Sequence, residues 1–183
     1  MDRSAAIALL KQYVHDEHLL KHCLATGAVM RALAAHLGED ESHWEMIGIL
    51  HDIDFTLVRG DMQQHGSRGA ELLLQQGFDA DFAQIVQRHN HFLHDCAYER
   101  QVEIALQAAD SVSGLLIACA LVKGGKLSLV TPKTVTKKAK ERMFAAGCDR
   151  NRIALIQPIM DLPLFYAVAI NGLMNIREEL ELT

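Results

Sequence analysis

The feature that most constrains the fold is a nearly continuous apolar segment from Val102 to Val122. Its residues are hydrophobic or small almost all round a helix, which predicts a central helix packed on several sides. The segment is only about 20 residues long and carries Glu103, Gln107 and Asp110, so we do not expect it to span a membrane. Burial of an unpaired ionised carboxylate costs several kcal/mol, and Asp110 therefore needs a positively charged partner.

Further imidazole and carboxylate groups lie in segments that otherwise resemble core. His51 and Asp52 close an apolar stretch that begins at Trp44, and His22 lies in an upstream helical segment. His65 and His89 follow downstream. Few lysines or arginines lie near Asp52 and Asp110 in the sequence, and a divalent cation is the simplest counter-charge. The pattern therefore predicts a metal site.

The residues by themselves leave alternatives open. Asp52 and Asp54 fall at the negative end of a helix dipole, and they would cap a turn if the helix stopped earlier. Asp110 could be satisfied by Ser113 or by an arginine from another helix. His91 or His94 could replace His89 as a ligand, although His89 is favoured because it ends an ordered helix. His15 and His18 are expected on a solvated face.

The ordered set of His22, His51-Asp52 and Asp110 resembles the signature of the HD-domain superfamily of metal-dependent phosphohydrolases. His65 and His89 resemble the two extra histidines of its dinuclear members, and residues 108–116 resemble its closing metal helix. The resemblance runs from His22 to Asp110. It implies an all-α, compact multi-helix bundle and metal ligation by the following residues: His22, His51, Asp52, His65, His89 and Asp110.

The chemistry implied by the resemblance is hydrolysis of a phosphate ester, with a nucleotide or another small phosphorylated metabolite as substrate. His and Asp ligands suit Mn, Fe, Co, Ni or Zn, as one or two ions. Asp52 is expected to be the catalytic residue, bridging two ions or orienting a water on one. Two alternatives remain, a di-iron oxygenase of HD type and a non-catalytic metal- or ligand-binding regulatory domain.

The sequence also departs from particular HD groups. Asp54 stands where the short HDIG variant has glycine. Phe55 and Thr56 follow where the stringent-response hydrolases have an acidic pair, which disfavours that activity. The segment 88–94 lacks the HHE and GYP residues of cyclic dinucleotide phosphodiesterases, so that activity is not expected either.

A basic segment follows Pro132 and resembles the tail of small stand-alone HD proteins. Lys133, Lys137 and Lys140 align on one face of a predicted helix. One hypothesis is that these lysines form a phosphate-facing wall over the metal site and bind the substrate. The alternative is an ordinary solvated face.

Length and composition favour one domain over residues 1–183, with a metal-binding core over about 16–120 and C-terminal helices over about 131–183. The net charge of −5 gives no support for binding a nucleic acid polymer. No signal-peptide pattern or membrane span is apparent, and the four cysteines are widely separated. We therefore expect a cytoplasmic protein with reduced thiols and no membrane partner. The sequence does not determine the oligomeric state.

Apolar periodicity and capping residues predict nine helices. Asp79 or Asp81 is expected to start the helix that reaches His89, and Thr131-Pro132 to start the basic helix. The segment 127–130 has the composition of a short strand but lacks a partner strand. The helices are predicted over about 4–14, 16–37, 42–51, 67–77, 79–89, 102–122, 131–147, 150–156 and 161–182.

Overall fold

The structure, a computed structural model, describes residues 2–94 and 98–183. Those residues form an all-α bundle without a strand, which confirms the predicted fold class. Two short 3-10 helices, His91–Leu93 and Leu127–Leu129, lie between the longer elements, and the second replaces the strand considered from the sequence. The α-helices are α1 Arg3–Tyr13, α2 Glu17–Leu37, α3 Glu41–Leu50, α4 Ser67–Gln75, α5 Ala80–Arg88, α6 Gln101–Leu121, α7 Pro132–Ala139, α8 Arg150–Ala154 and α9 Leu162–Met174.

Helix α6 is the predicted central helix and it carries Asp110. Among the described residues it is the helix long and apolar enough to cross a membrane by length and composition, but 67% of its apolar window is buried inside the protein. It packs against α2, α7, α8 and the loop after it. This burial explains the nearly uniform apolar sequence, because neighbours cover the helix on several sides.

Helices α2 and α3 form the other half of the frame and bring His22 close to His51. They approach closely at Gly27 and Gly48, where a Cβ on Gly48 would lie 2.6 Å from the Cα of Gly27. Only glycine permits this approach, because any larger residue would push the two helices apart. The predicted metal ligands His22 and His51 are therefore fixed relative to each other by backbone packing.

Most helix boundaries follow the predicted caps, with several corrections. Asp16, Asp79, Thr131 and Asp161, the first residues of four predicted ranges, cap the corresponding helices, and Gly38 ends α2 in the left-handed conformation. Asp2 and Asp40, rather than Ser4 and Ser42, cap α1 and α3. An aspartate at the cap accepts hydrogen bonds from the first amides and its negative charge also complements the helix dipole, which favours it over serine at these two positions.

The C-terminal helices are shorter than predicted. Helix α7 ends at Ala139 rather than near Gly147, because Arg150 folds back and donates hydrogen bonds to the carbonyl oxygens of Ala139 and Ala145. Helix α9 ends at Met174, and residues 175–181 continue as turns. Ser67 is the first residue of α4 and does not cap it; the preceding Gly66 has a φ of 82° and makes no side-chain cap.

Candidate metal centre

Four predicted ligands from three parts of the chain meet at one end of the bundle. His22 comes from α2, His51 and Asp52 from the end of α3, and Asp110 from the middle of α6. The Nε2 atoms of His22 and His51 are 3.3 Å apart, and Nε2 of His22 is 3.1 Å from Oδ1 of Asp110. Oδ2 of Asp52 lies 3.4 Å from Nε2 of His51. We call this set the first ligand group.

A second group forms directly beside the first. The Nε2 atoms of His65 and His89 are 2.9 Å apart. Oδ1 of Asp52 lies 3.3 Å from Nε2 of His65 and 3.2 Å from Nε2 of His89. Asp52, His65 and His89 are close enough to share one ion, as are His22, His51 and Asp52. Asp52 faces the first group with one oxygen and the second group with the other.

The other nitrogen of each histidine is held by the protein. Nδ1 of His51 hydrogen-bonds to the carbonyl oxygen of Gly48 at 2.8 Å, and Nδ1 of His89 hydrogen-bonds to the carbonyl oxygen of Val86. Nδ1 of His22 lies 3.3 Å from Oγ of Ser113, whose hydroxyl donates to the carbonyl oxygen of Asp110. Carbonyl oxygens accept only, so they place the proton on Nδ1 and leave the Nε2 lone pair directed into the cluster.

Asp54 performs the same task for His65. Its Oδ1 lies 2.8 Å from Nδ1 of His65, while its Oδ2 accepts hydrogen bonds from the backbone N–H groups of Gly66 and Gly69. The side chain of Asp54 is fully buried. A carboxylate at the negative end of a helix needs a positively polarised partner, and the structure supplies an imidazole and two amides at the start of α4. Asp54 therefore orients His65 and does not reach the Nε2 cluster itself.

Burial and close carboxylates shift the pKa values of the cluster in opposite directions. Burial lowers the pKa of His51 to about 4. Burial also opposes protonation of His65, but hydrogen bonds to Asp52 and Asp54 outweigh it and raise its pKa to about 9. Burial opposes ionisation of Asp52, yet the nearby histidines hold its pKa well below the usual range. The Nε2 atoms of His22 and His51, and those of His65 and His89, thus lie in a small volume beside ionised carboxylates.

Arg152 joins the candidate site, although nothing in the sequence pattern predicts it. Its Nη2 donates to Oδ2 of Asp110 at 2.6 Å, and its Nε donates to Oε1 of Gln107 at 2.6 Å. The arginine keeps the pKa of Asp110 far below its ordinary value, against the opposing effect of burial. Asp110 thus has the arginine partner considered from the sequence and also lies in the histidine cluster. Ser113, the other partner considered, contacts the backbone of Asp110 and not its side chain. Arg152 lies 42 residues away in sequence, so no local pattern signals the pair.

The remaining predicted residues lie elsewhere. Lys133, Lys137 and Lys140 are exposed on α7 or at its end, and α7 packs against α6 and α9. Their role as a substrate-binding wall stays a prediction. His89, rather than His91 or His94, joins the cluster. His15 and His18 are exposed, as expected. Cys96 lies outside the described residues, and Cys23, Cys119 and Cys148 are free thiols.

The cluster is more exposed at His22 and Asp110 than at its other histidines. The side chains of His51, His65 and His89 are at most 4% exposed, whereas those of His22 and Asp110 are 25% and 16% exposed. A groove of about 510 Å³ runs beside it, lined by residues that include Leu19, Phe55 and Arg59. The ring of Phe55 meets that of His65 edge-on, with centroids 5.2 Å apart. His22 and Asp110 therefore give the cluster access to solvent, and the contact between Phe55 and His65 links the groove to the cluster.

Comparison with known proteins agrees with this arrangement. The HD domain family matches residues 19–115, which is just over half of the chain and includes all six predicted ligands. An uncharacterized protein of Methanocaldococcus jannaschii, MJ0778, is 36% identical over 94 residues, which are 49% of this chain and 54% of that protein. Ribonuclease Y of Acidothermus cellulolyticus is 31% identical over 101 residues, which are 55% of this chain and 20% of that protein. No solved structure matches the chain.

The chain belongs to the HD domain family, and thus to a superfamily of metal-dependent phosphohydrolases. The fold, the order of the histidines and aspartates, and their convergence are all of this class. The chain spans about half the length of the archaeal relative and a fifth of the ribonuclease. Family membership therefore defines the general chemistry of the site and leaves the substrate to be inferred from this chain.

Proposed function

We propose that the protein is a hydrolase of small phosphate esters that uses two divalent transition-metal ions. His22, His51, Asp52 and Asp110 would hold one ion, and Asp52, His65 and His89 the other. The expected metals remain Mn, Fe, Co, Ni or Zn, because imidazole and carboxylate ligands suit all of them. The substrate would be a nucleotide or another small phosphorylated metabolite, and the protein would act in the cytoplasm without a nucleic acid polymer or membrane as partner.

The observation that carries the proposal is the pairing of Nε2 atoms. In each pair a hydrogen bond holds Nδ1, so the two Nε2 atoms face each other at 3.3 Å and 2.9 Å. Two lone pairs at these distances repel unless a proton or a cation lies between them. Ionised Asp52 and Asp110 beside them favour a positive charge between the Nε2 atoms; His65 carries it as a proton in the metal-free protein, and a divalent ion would replace that proton. The donor set therefore fits a metal centre.

The bound ions and the side chains of the site would have different roles in hydrolysis. Bound divalent ions lower the pKa of a water molecule and polarise a phosphoryl oxygen. Asp52, with one oxygen in each ligand group, sets the spacing of the two groups and is the expected catalytic residue. Asp110 adds negative charge at the open side and is fixed by Arg152. The buried His51, His65 and His89 exclude water from the back of the site.

The groove beside Phe55 provides room for the part of the substrate beyond the phosphate. Its volume of about 510 Å³ is in the range of small-ligand sites. Phe55 is 37% exposed there, and Leu19 lies one helical turn before His22. A planar or apolar leaving group would bury against these side chains, which supports a small metabolite as substrate.

Elemental analysis of protein purified without chelator, followed by hydrolysis assays with the recovered metal, tests the proposal. We expect two metal equivalents per chain and hydrolysis of at least one class in a panel of nucleotides and sugar phosphates. Two irons with oxygen uptake and no phosphate release would instead assign the site to the oxygenase alternative. Two metal equivalents with neither activity would favour the non-catalytic regulatory domain.

A further inference from the structure

Arg152 of α8 is held against the metal centre by side chains of α6. Its Nε donates to Gln107 and its Nη2 donates to Asp110, both at 2.6 Å. Nε2 of Gln107 in turn donates to the carbonyl oxygen of His89 at 2.8 Å. The guanidinium is therefore fixed relative to a ligand of each group. Its orientation is set by the folded chain before any substrate arrives, which lowers the entropic cost of binding.

These two contacts leave donors of the guanidinium uncommitted. A guanidinium carries five N–H groups, and the contacts with Gln107 and Asp110 use two of them. Within residues 2–94 and 98–183, Nη1 of Arg152 makes no hydrogen bond, and it is not enclosed. The side chain as a whole is only 11% exposed. Free donors on a largely buried cation favour an anionic acceptor that enters from solvent.

Arg152 lies beside the more exposed side of the cluster, because its partner Asp110 belongs to that side. His22 and Asp110 are the most exposed of the predicted ligands, and Arg152 contacts Asp110 directly. A substrate that approaches the exposed His22 and Asp110 therefore passes the guanidinium of Arg152.

Charge and geometry both suit a phosphoryl group at this position. Asp52 and Asp110 carry two negative charges, which two divalent ions would exceed. Arg152 adds a further positive charge at the mouth of the site. The planar fork of arginine matches the oxygens of a phosphate, whereas a lysine offers only a point charge.

We propose that Arg152 binds a phosphoryl oxygen of the substrate through Nη1 while Nε and Nη2 remain on Gln107 and Asp110. The inference rests on the proposed function, because it assumes a phosphate ester as substrate. Arg152 lies outside residues 19–115, so the family match does not supply this role. It is a phosphate contact distinct from the exposed lysines of α7.

The test compares Arg152→Met and Arg152→Lys with wild type and with Arg177→Met, which makes the same change at an exposed arginine just after the end of α9. Each protein is loaded with the metal recovered from wild type. Metal content is measured by elemental analysis, and the affinity for inorganic phosphate by isothermal titration calorimetry. We expect full metal content in Arg152→Lys and Arg152→Met, and phosphate affinity at least tenfold lower in Arg152→Met. Arg177→Met should match wild type in both measurements.

The outcomes separate this proposal from the proposed function. Wild-type phosphate affinity in a metal-retaining Arg152→Met would overturn the phosphate contact and leave the hydrolase proposal standing. If Arg152→Met loses metal, Arg152→Lys decides: retained metal with weakened phosphate binding supports the contact, and retained metal with wild-type phosphate affinity overturns it. Loss of metal from both variants would show that Arg152 only positions Asp110, which also overturns it. A wild-type protein that binds neither metal nor phosphate would overturn both proposals together.

Discussion

Asp54 lies directly behind His65, with its Oδ1 2.8 Å from Nδ1 of the imidazole and its other oxygen held by the amides of Gly66 and Gly69. This contact makes the position of one predicted metal ligand depend on the start of α4. A carboxylate on the far nitrogen of a ligand histidine also raises the basicity of the near nitrogen. Asp54 therefore couples the conformation of the loop before α4 to the geometry of the candidate metal centre.

Asp54→Asn should weaken metal binding at the second ligand group and leave the first group loaded. The amide keeps the size of the side chain but removes the charge that raises the pKa of His65 and accepts two backbone amides. Loss of charge-assisted hydrogen bonds should also lower the free energy of unfolding by about 1.5–3 kcal/mol. Urea denaturation and elemental analysis measure the two effects. Asp61→Asn, at an exposed loop aspartate, is the control; equal effects of both variants would refute the role of Asp54.

His65→Ala and His89→Ala should each lose one equivalent of metal while the chain stays folded. Both histidines face only Oδ1 of the bridging Asp52, so the group of His22, His51 and Asp110 remains intact. Elemental analysis gives the stoichiometry, and circular dichroism checks the fold. His18→Ala, at an exposed histidine of the same helix as His22, should keep both equivalents. Full stoichiometry in both site variants would show that the centre is mononuclear.

Metal binding at pH 7 should release a proton from His65. Its pKa is raised to about 9 in the metal-free protein, so the imidazole is protonated below that pH and must lose the proton to ligate. His51, with a pKa of about 4, releases none at pH 7. Affinity at the second group should therefore rise with pH up to about 9. Calorimetric titrations in buffers of different ionisation enthalpy count the protons, and binding heats that do not depend on the buffer would contradict this assignment.

Removal of metal should destabilise the protein. Ions bind the converged ligands of the folded chain far better than the dispersed ligands of the unfolded chain, so free metal at 100 times its dissociation constant adds about 2.7 kcal/mol. Acid should weaken this contribution, because ligand histidines must be neutral. Differential scanning calorimetry before and after chelation measures the change. An identical melting temperature with and without metal at neutral pH would argue against a centre built from these residues.

Asp52→Asn should reduce turnover of phosphate esters about 100-fold or more, which corresponds to about 2.7 kcal/mol of transition-state stabilisation. The substitution keeps the size of the side chain but removes the charge shared by the two ligand groups. Steady-state kinetics with the best substrate of the panel measure kcat. Asp61→Asn serves again as the control, at an exposed position. Wild-type turnover in Asp52→Asn would mean that the measured hydrolysis arises at another site.

Much of the site could be predicted from the sequence because its residues lie within or directly beside apolar helices. The order of His22, His51-Asp52 and Asp110 carries the family signature, and the apolar segment of α6 requires a core around Asp110. Capping chemistry is local, so Asp16, Gly38 and Thr131 marked helix ends correctly. It failed where two polar residues competed, as at Asp40 and Ser42, because only the folded backbone selects one of them.

The sequence by itself determined the all-α class, the family and the six residues that could serve as ligands. Only the tertiary structure decided how their atoms are paired. Asp52 faces both ligand groups, and Asp54 is hydrogen-bonded to His65. Arg152 of α8 contacts Asp110 of α6. The reason is physical. Periodicity and capping act over one or two helical turns, whereas these pairings depend on how α8 docks on α6 and on the loop that closes before α4.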